Sequence, residues 1–446
     1  MYNELFVLLL VLCVIARLAQ SYVEGAQHQN ITGAQASAFR AFQYNYLAVY
    51  LLAVASDWLQ GPYVYALYSE YGYDKTAIGI LFIAGFGSSA LFGTFVASIA
   101  DKYGRRANVI VFCVTYGLSC VTKHSPNFWV LMAGRVLGGI ATSILFSAFE
   151  AWLVFEHINR SYDAAWLSET FAKAQFGNGL VAIASGQVAG VAASWFGKVA
   201  PFDLSLIVLI ITGGIVAFTW TENYGDERAS VGGGFAQAWA NMMADKRILL
   251  IGAIQSAFEG AMYTFVFMWT PALQATSATE IPHGMIFSSF MVSIMIGSSL
   301  FTLLVTKFKI ESFLRNFFAF ATAAFIFTIF SNSAMGIYCG FLAFEVICGV
   351  YFPAMGTLRS RYVPEETRSA IMNFFRLPLN IIVVAMLYRD MPTTTVFTVC
   401  AVLMFVAVLC MTALMLYPSR GVDKVPAIED GSAAESKTPP LTADIA

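Results

Sequence analysis

Apolar residues run in long blocks from one end of the chain to the other, separated by short polar stretches. The blocks lie at 4–21, 42–66, 77–100, 107–122, 128–153, 170–195, 202–220, 248–272, 284–305, 313–331, 335–357, 369–388 and 393–417. A membrane-crossing helix needs about 20 mostly apolar residues to span roughly 30 Å of hydrocarbon, and these blocks have that scale. They predict an all-α membrane protein. Two stretches break the pattern. Residues 222–247 carry Glu222, Asp226, Glu227, Arg228, a Gly232-Gly233-Gly234 run and Lys246-Arg247, and the tail after Pro418 is rich in Ser, Pro, Ala and acids. The expected organisation is an extra N-terminal helix and linker (1–40), a six-helix bundle (41–221), a cytosolic connecting loop (222–247), a second six-helix bundle (248–417) and a disordered cytosolic tail (418–446).

Composition sharpens this reading. Of 446 residues, 58% are hydrophobic and 12% charged, against about a quarter charged in an ordinary soluble domain. A formal net charge of -2 indicates neither a nucleic-acid surface nor an acidic interaction protein. The seven cysteines fall inside apolar stretches, with no closely spaced Cys/His set to hold zinc. There is no P-loop pattern, which argues against ATP-driven transport. The four histidines (His28, His124, His157, His283) all read as loop residues. No catalytic constellation emerges, so the chain is not expected to be an enzyme, and no cofactor or metal is implied.

Basic loops orient the spans, because short Lys/Arg-rich loops stay cytosolic. Alternate loops hold Lys102, Arg105 and Arg106; Arg160; Arg228, Lys246 and Arg247; Lys307, Lys309 and Arg315; and Arg359, Arg361 and Arg368. The opposite loops hold only Lys75, Lys123, Lys198 and Arg389. This places the connection and the C-terminus in the cytosol. Segment 4–21 begins Met1-Tyr2-Asn3-Glu4, without the basic start of a secretory signal, and is expected to be a retained helix with its N-terminus outside. The alternative, a cleaved signal, would make Asn30-Ile31-Thr32 a lumenal sequon.

The two halves echo each other. Leu59-Gln60-Gly61 matches Phe258-Glu259-Gly260, Arg135-Val136-Leu137-Gly138-Gly139 matches Glu345-Val346-Ile347-Cys348-Gly349, and Glu169-Thr170 matches Glu366-Thr367. Transporters built from repeats bind substrate near the midplane between them. Ionisable residues inside spans are costly and mark functional positions by default. Here they are Asp57, Arg135, Glu150, Lys173, Glu259, Glu345 and Arg376. Depth counting puts Asp57 level with Arg135, as an available ion pair, and lets Arg376 reach Glu259 and Glu345. The plain alternative is that such pairs lock helices together. Lys173 reads as snorkelling to the interface, and Glu150 as pairing with Arg105 or Arg106. Neutral donors nearby are Gln60, Gln255, Asn178, Asn373 and Asn380, with Ser288, Ser289 and Ser293. The serines, like Gly186 and Gly190, read first as close helix packing, and Tyr63, Tyr65 and Tyr68 as an outer aromatic belt.

Ala97-Ser98-Ile99-Ala100-Asp101-Lys102-Tyr103-Gly104-Arg105-Arg106 resembles the signature G-x-L-A-D-[RK]-x-G-[RK]-[RK] of the major facilitator superfamily, with Ala97 in place of the leading Gly. Gly134-Arg135-x-x-Gly138-Gly139 is similar to its second motif. The match looks closer still to the eukaryotic molybdate-anion transporter family, on Ala55-Ser56-Asp57-Trp58-Leu59-Gln60-Gly61-Pro62-Tyr63, Leu145-Phe146-Ser147-Ala148-Phe149-Glu150-Ala151-Trp152, Ile286-Phe287-Ser288-Ser289-Phe290-Met291, Tyr351-Phe352-Pro353-Ala354-Met355 and Asn373-Phe374-Phe375-Arg376-Leu377-Pro378. The resemblance implies a major facilitator fold and uptake of molybdate across the plasma membrane by alternating access. Asp101 is then expected to cap a helix N-terminus, with Arg105, Arg106 and Glu150 completing a gating network. Arg135 and Arg376 are the expected anion contacts, because guanidinium suits oxyanions. Gln60, Gln255, Asn178, Asn373 and Ser289 would supply neutral contacts. Asp57, Glu259 and Glu345 would hold the arginines or take up a coupling proton. A carrier of another anion or solute, or a non-transporting sensor of the same fold, is the alternative.

Overall fold

The computed structural model describes residues 2–24, 36–224, 235–277, 279–364, 367–388 and 391–417, without the side chains of 23, 24, 94–102, 164, 165, 168, 235, 236, 368–370 and 373. The tail from 418, the sequon at Asn30 and the side chains of Asp101 and Asn373 therefore lie outside the described residues.

The first helix, α1 (Tyr2–Glu24), precedes a bundle made of α2 (Ala36–Gln60), α3 (Val64–Glu70), α4 (Lys75–Tyr103), α5 (Arg105–Val121), α6 (Phe128–Leu145), α7 (Ala148–Asn159), α8 (Ala164–Phe196) and α9 (Ala200–Thr219). After α10 (Phe235–Ala244) come α11 (Lys246–Gln274), α12 (His283–Val305), α13 (Ile310–Phe330), α14 (Ala334–Tyr362), α15 (Arg368–Tyr388) and α16 (Thr393–Leu416). A 3-10 turn at Gly61–Tyr63 joins α2 to α3 as one span, and α6 with α7 forms another. Among the described residues, ten helical stretches are long and apolar enough to cross a membrane by length and composition. The spans of α2, α5 and α15 miss that mark: α5 has only 17 residues, the apolar stretch described in α15 is the shorter Phe374–Tyr388, and α2 is diluted by polar residues such as Gln43, Asp57 and Gln60.

Helix starts follow local chemistry. Asn127 caps α6 by accepting from Trp129 N at 2.9 Å, Asp245 caps α11 through Arg247 N at 3.0 Å, and Ser333 caps α14 through Gly336 N at 3.1 Å, each satisfying an orphan first-turn donor. Between α6 and α7 the helix breaks at Phe146–Ser147. There Ser147 Oγ donates back to Ser143 O at 2.8 Å, competing with the backbone ladder. The connection expected to be loop contains α10, whose Ala238 and Met242 are buried one turn apart. Its Asn241 donates to Thr367 Oγ1 at 3.1 Å, tying it to the start of α15.

The aligned glycines occupy equivalent places in the two halves. A Cβ on Gly139 of α6 would lie 2.3 Å from Gly85 O of α4, and one on Gly349 of α14 would lie 2.1 Å from Ile294 O of α12. Helix α1 packs on α12, burying Leu9 and Cys13 and setting Tyr2 edge-on to Tyr338 at 5.1 Å.

Two histidines depart from the loop expectation: His157 lies within α7 and His283 opens α12, both buried. Cys339 is exposed and Cys410 half-buried, so these two are not core residues. Tyr63 and Tyr68 are buried rather than forming a lipid-facing belt.

Candidate functional site

The loops rich in Lys and Arg all lie at one end of the helices, here the basic end; the other is the far end. The halves meet chiefly through α8 against α12 and α4 against α15. At the far end they close tightly. A Cβ on Gly284 of α12 would lie 2.2 Å from Gly186 O of α8, so only glycine permits this approach, and Ser288 Oγ crosses to Ile183 O at 2.8 Å. Beside and below this contact aromatic pairs span the seam: Tyr63 with His283 (5.5 Å), Trp58 with Phe287 (5.9 Å), Tyr65 and Phe82 with Phe267 (5.5 and 5.3 Å), and Phe86 with Tyr263 (4.9 Å). Above the contact, Lys198 pairs across the seam with Glu280 at 2.7 Å.

On the basic side of this aromatic layer sits Arg376. Its side chain is exposed, and Nη1 lies 3.8 Å from where a Cβ on Gly93 of α4 would stand, beside Ser143 Oγ of α6. The guanidinium thus reaches from the second half onto the first. It also lies within electrostatic reach of Glu259 and Tyr263. A cavity of about 260 Å³ between α4 and α15 is lined by Phe86, Gly87, Arg376 and Asn380 among others.

Glu259 is held in place: Tyr351 OH donates to Oε1 at 3.1 Å and Gln255 Nε2 to Oε2 at 3.3 Å. Gln255 in turn accepts from Arg359 Nη1 at 3.2 Å. Sequence reasoning placed Arg359 among the topology-setting loop charges and missed it. The signal available was position: Arg359 is still inside α14, while its neighbour Arg361 turns to Glu311 at 3.9 Å. Tyr351 and Tyr263 were also missed, because a tyrosine in a span carries no charge to flag it.

Several expected partnerships are replaced. Asp57 does not pair with Arg135; the Tyr116 hydroxyl donates to it, while Arg135 donates Nε to Leu81 O at 3.2 Å and lies over the Phe82 ring at 4.9 Å. The two groups are level but remain only in electrostatic reach. Glu345 does not join Glu259 and Arg376: it is buried beside Cys348, because α14 turns it away from the seam. Gln60 is drawn into the first bundle, donating to Ser205 Oγ at 3.0 Å. Asn178 accepts from Trp58 Nε1 at 2.8 Å, near the seam, and Ser289 donates to Met285 O of its own helix at 2.9 Å. Lys173 pairs with Glu169 at 2.6 Å and donates to Gln43 at 2.9 Å, so it has partners rather than simply snorkelling.

At the basic end, Glu150 is exposed near Tyr46 and Tyr50 instead of bridging to Arg105 or Arg106. Arg105 donates to Ala151 O at 3.2 Å and lies over Phe155 at 5.5 Å; Arg106 Nη2 donates to Ala217 O at 2.6 Å. The acid capping α5 is Glu222, which accepts from Arg106 N at 2.8 Å and Ala107 N at 3.1 Å. Gly104 makes this possible with φ 105°, and a Cβ there would strike the Glu222 carboxylate at 2.5 Å.

Comparison with known proteins follows this geometry. Residues 1–347 match the family described as "Sugar-transporters, 12 TM". The chain is 38% identical to the molybdate-anion transporter of Xenopus tropicalis over 397 residues, 84% of this chain and 86% of that one. It is 34% identical to that of Danio rerio over 411 residues, covering 84% and 85%. The solved nucleoside transporter NupG shares the fold, with a TM-score of 0.65 at 12% identity over 84% of this chain and 98% of that one. Two six-span halves, the loop signature and these relatives agree: the chain belongs to the molybdate-anion transporter family of the major facilitator superfamily.

Proposed function

We propose that this protein carries molybdate across the membrane by alternating access, with Arg376 as the principal anion contact. The observation that carries this reading is the place of Arg376, an exposed guanidinium on the basic side of a sealed aromatic layer, reaching from one half to the other. A tetrahedral dianion needs cationic donors, and guanidinium meets two oxygens at once. Asn380, which lines the same cavity, adds a neutral donor. Glu259, fixed by Tyr351 and Gln255, balances Arg376 when no anion is bound; taking up a proton would free the arginine for the substrate. In this state the site opens toward the basic end. Assigning that end to the cytosol by the basic-loop rule makes this the inward-facing conformation, with the N-terminus outside and the plasma membrane as the site of uptake.

Purified protein in liposomes tests the reading. Molybdate flux into the vesicles, resisted by excess sulfate, is the expected result. Sulfate flux without molybdate flux would assign the carrier to another anion, and binding without flux would make it a sensor. Proton coupling predicts faster uptake under an inward proton gradient; pH-independent, electrogenic uptake would remove it.

A further inference from the structure

Near the far end of the first bundle, Lys123 and Tyr68 lie close to Arg135 with no acceptor among the described residues for the Lys123 ammonium or the Tyr68 hydroxyl proton. Lys123, in the 3-10 turn after α5, is 1% exposed and its Nζ has no hydrogen-bond partner. It stands 5.5 Å from the ring centre of Tyr68 on α3. Tyr68 is fully buried, and its hydroxyl, which lies within reach of the Arg135 guanidinium, has no acceptor among the described residues. Arg135 of α6 acts on both groups; its Nε is engaged by Leu81 O, and Gly85 leaves it room by lacking a Cβ.

The remaining groups around Lys123 do not neutralise it. Cys120 lies near the end of α5, just before the turn that holds Lys123, and the Tyr71 hydroxyl donates to the Lys123 backbone carbonyl, not to the ammonium. The nearby acids are engaged elsewhere, Asp57 by Tyr116 and Asp203 by His124 at 2.7 Å. A buried cation beside a half-buried one, with no counter-charge bonded to it among the described residues, is costly. Burial, reinforced by Arg135, brings the Lys123 ammonium down to about 7. Loss of its proton would relieve the repulsion yet, in this geometry, leave the buried Lys123 nitrogen without a hydrogen bond. A compact anion would meet all three groups.

We propose that Lys123, Arg135 and Tyr68 form a binding site for a small inorganic anion within the first bundle, separate from the Arg376 cavity. The site binds through charge and hydrogen-bond acceptance, which chloride and an oxyanion share. Because the anion binds the protonated lysine, its affinity is flat below about pH 7 and falls up to about tenfold per pH unit above it.

The test uses full-length protein carrying Arg376→Gln, so that the central cavity does not contribute, titrated with chloride or molybdate at pH 6 to 9. Direct binding and thermal unfolding are read. At least one anion should bind and stabilise the protein, and the arm that responds identifies the ligand. Lys123→Met should abolish the effect. Lys123→Arg should keep binding but lose the pH dependence. Tyr68→Phe, which removes one hydroxyl, should weaken affinity several-fold and serves if Lys123→Met does not fold. Binding unaltered by Lys123→Met or Tyr68→Phe, or no anion effect in either arm, overturns the proposal. Neither result depends on whether molybdate is transported.

Discussion

Arg376 and Lys123 are both cations within the apolar body of the protein, yet their surroundings assign them different work. Arg376 is exposed at the seam, within electrostatic reach of a carboxylate already held by Tyr351 and Gln255. Arg376→Lys keeps the charge but removes the planar fork, so both Arg376→Lys and Arg376→Gln should lower molybdate uptake, by about tenfold or more for one lost charge-assisted contact. Protein abundance should stay near normal, because the side chain is not buried; this is checked by flux against the amount reconstituted. Unchanged uptake would dismiss Arg376 from the pathway.

At the scale of elements, helix ends and crossings carry the fold. Glu222 caps α5 from a segment 116 residues away, joining the end of the first bundle to its third span. Glu222→Ala should cost about 1 kcal/mol, the usual worth of a lost cap, and appear as a lower unfolding temperature in detergent. The α8–α12 crossing is the tightest contact across the seam. Gly284→Ala puts a methyl 2.2 Å from Gly186 O, against backbone rather than a yielding side chain. It should hold the far end apart, read as raised labelling of a cysteine placed at Ser194, beside the far-end cavity.

For the whole molecule, closure of the far end depends more on this glycine contact and the aromatic layer than on charge. Lys198 lies between Glu280 of the second half at 2.7 Å and Glu70 of the first at 3.9 Å. The acids are mostly exposed, so Glu280→Gln should shift the far-closed population by less than about 1 kcal/mol. The Lys198 ammonium holds the Glu280 carboxyl below the usual carboxylate range. A lowered carboxyl contributes fully above its unperturbed value, about 4.3, and its contribution fades as pH falls through the lower one. Far-end closure should therefore be insensitive to this pair between pH 7 and 5 and loosen only in stronger acid. Spin-label distances across the far end measure both effects.

The order of apolar blocks and the loop signature determined by themselves the all-α membrane fold and the family, because each reflects the local demand of lipid on one segment. Even the glycines aligned between halves were legible, since both lie where one helix meets its neighbour at backbone distance. What only the tertiary structure decided was partnership. Depth counting put Asp57 beside Arg135 and Glu345 beside Arg376, but depth leaves helix rotation open. Rotation gave Asp57 to Tyr116, turned Glu345 aside, brought Arg359 to Gln255 and left Lys123 facing Tyr68. A side chain's level is set by its own helix, whereas its neighbour is set by how that helix packs against the others.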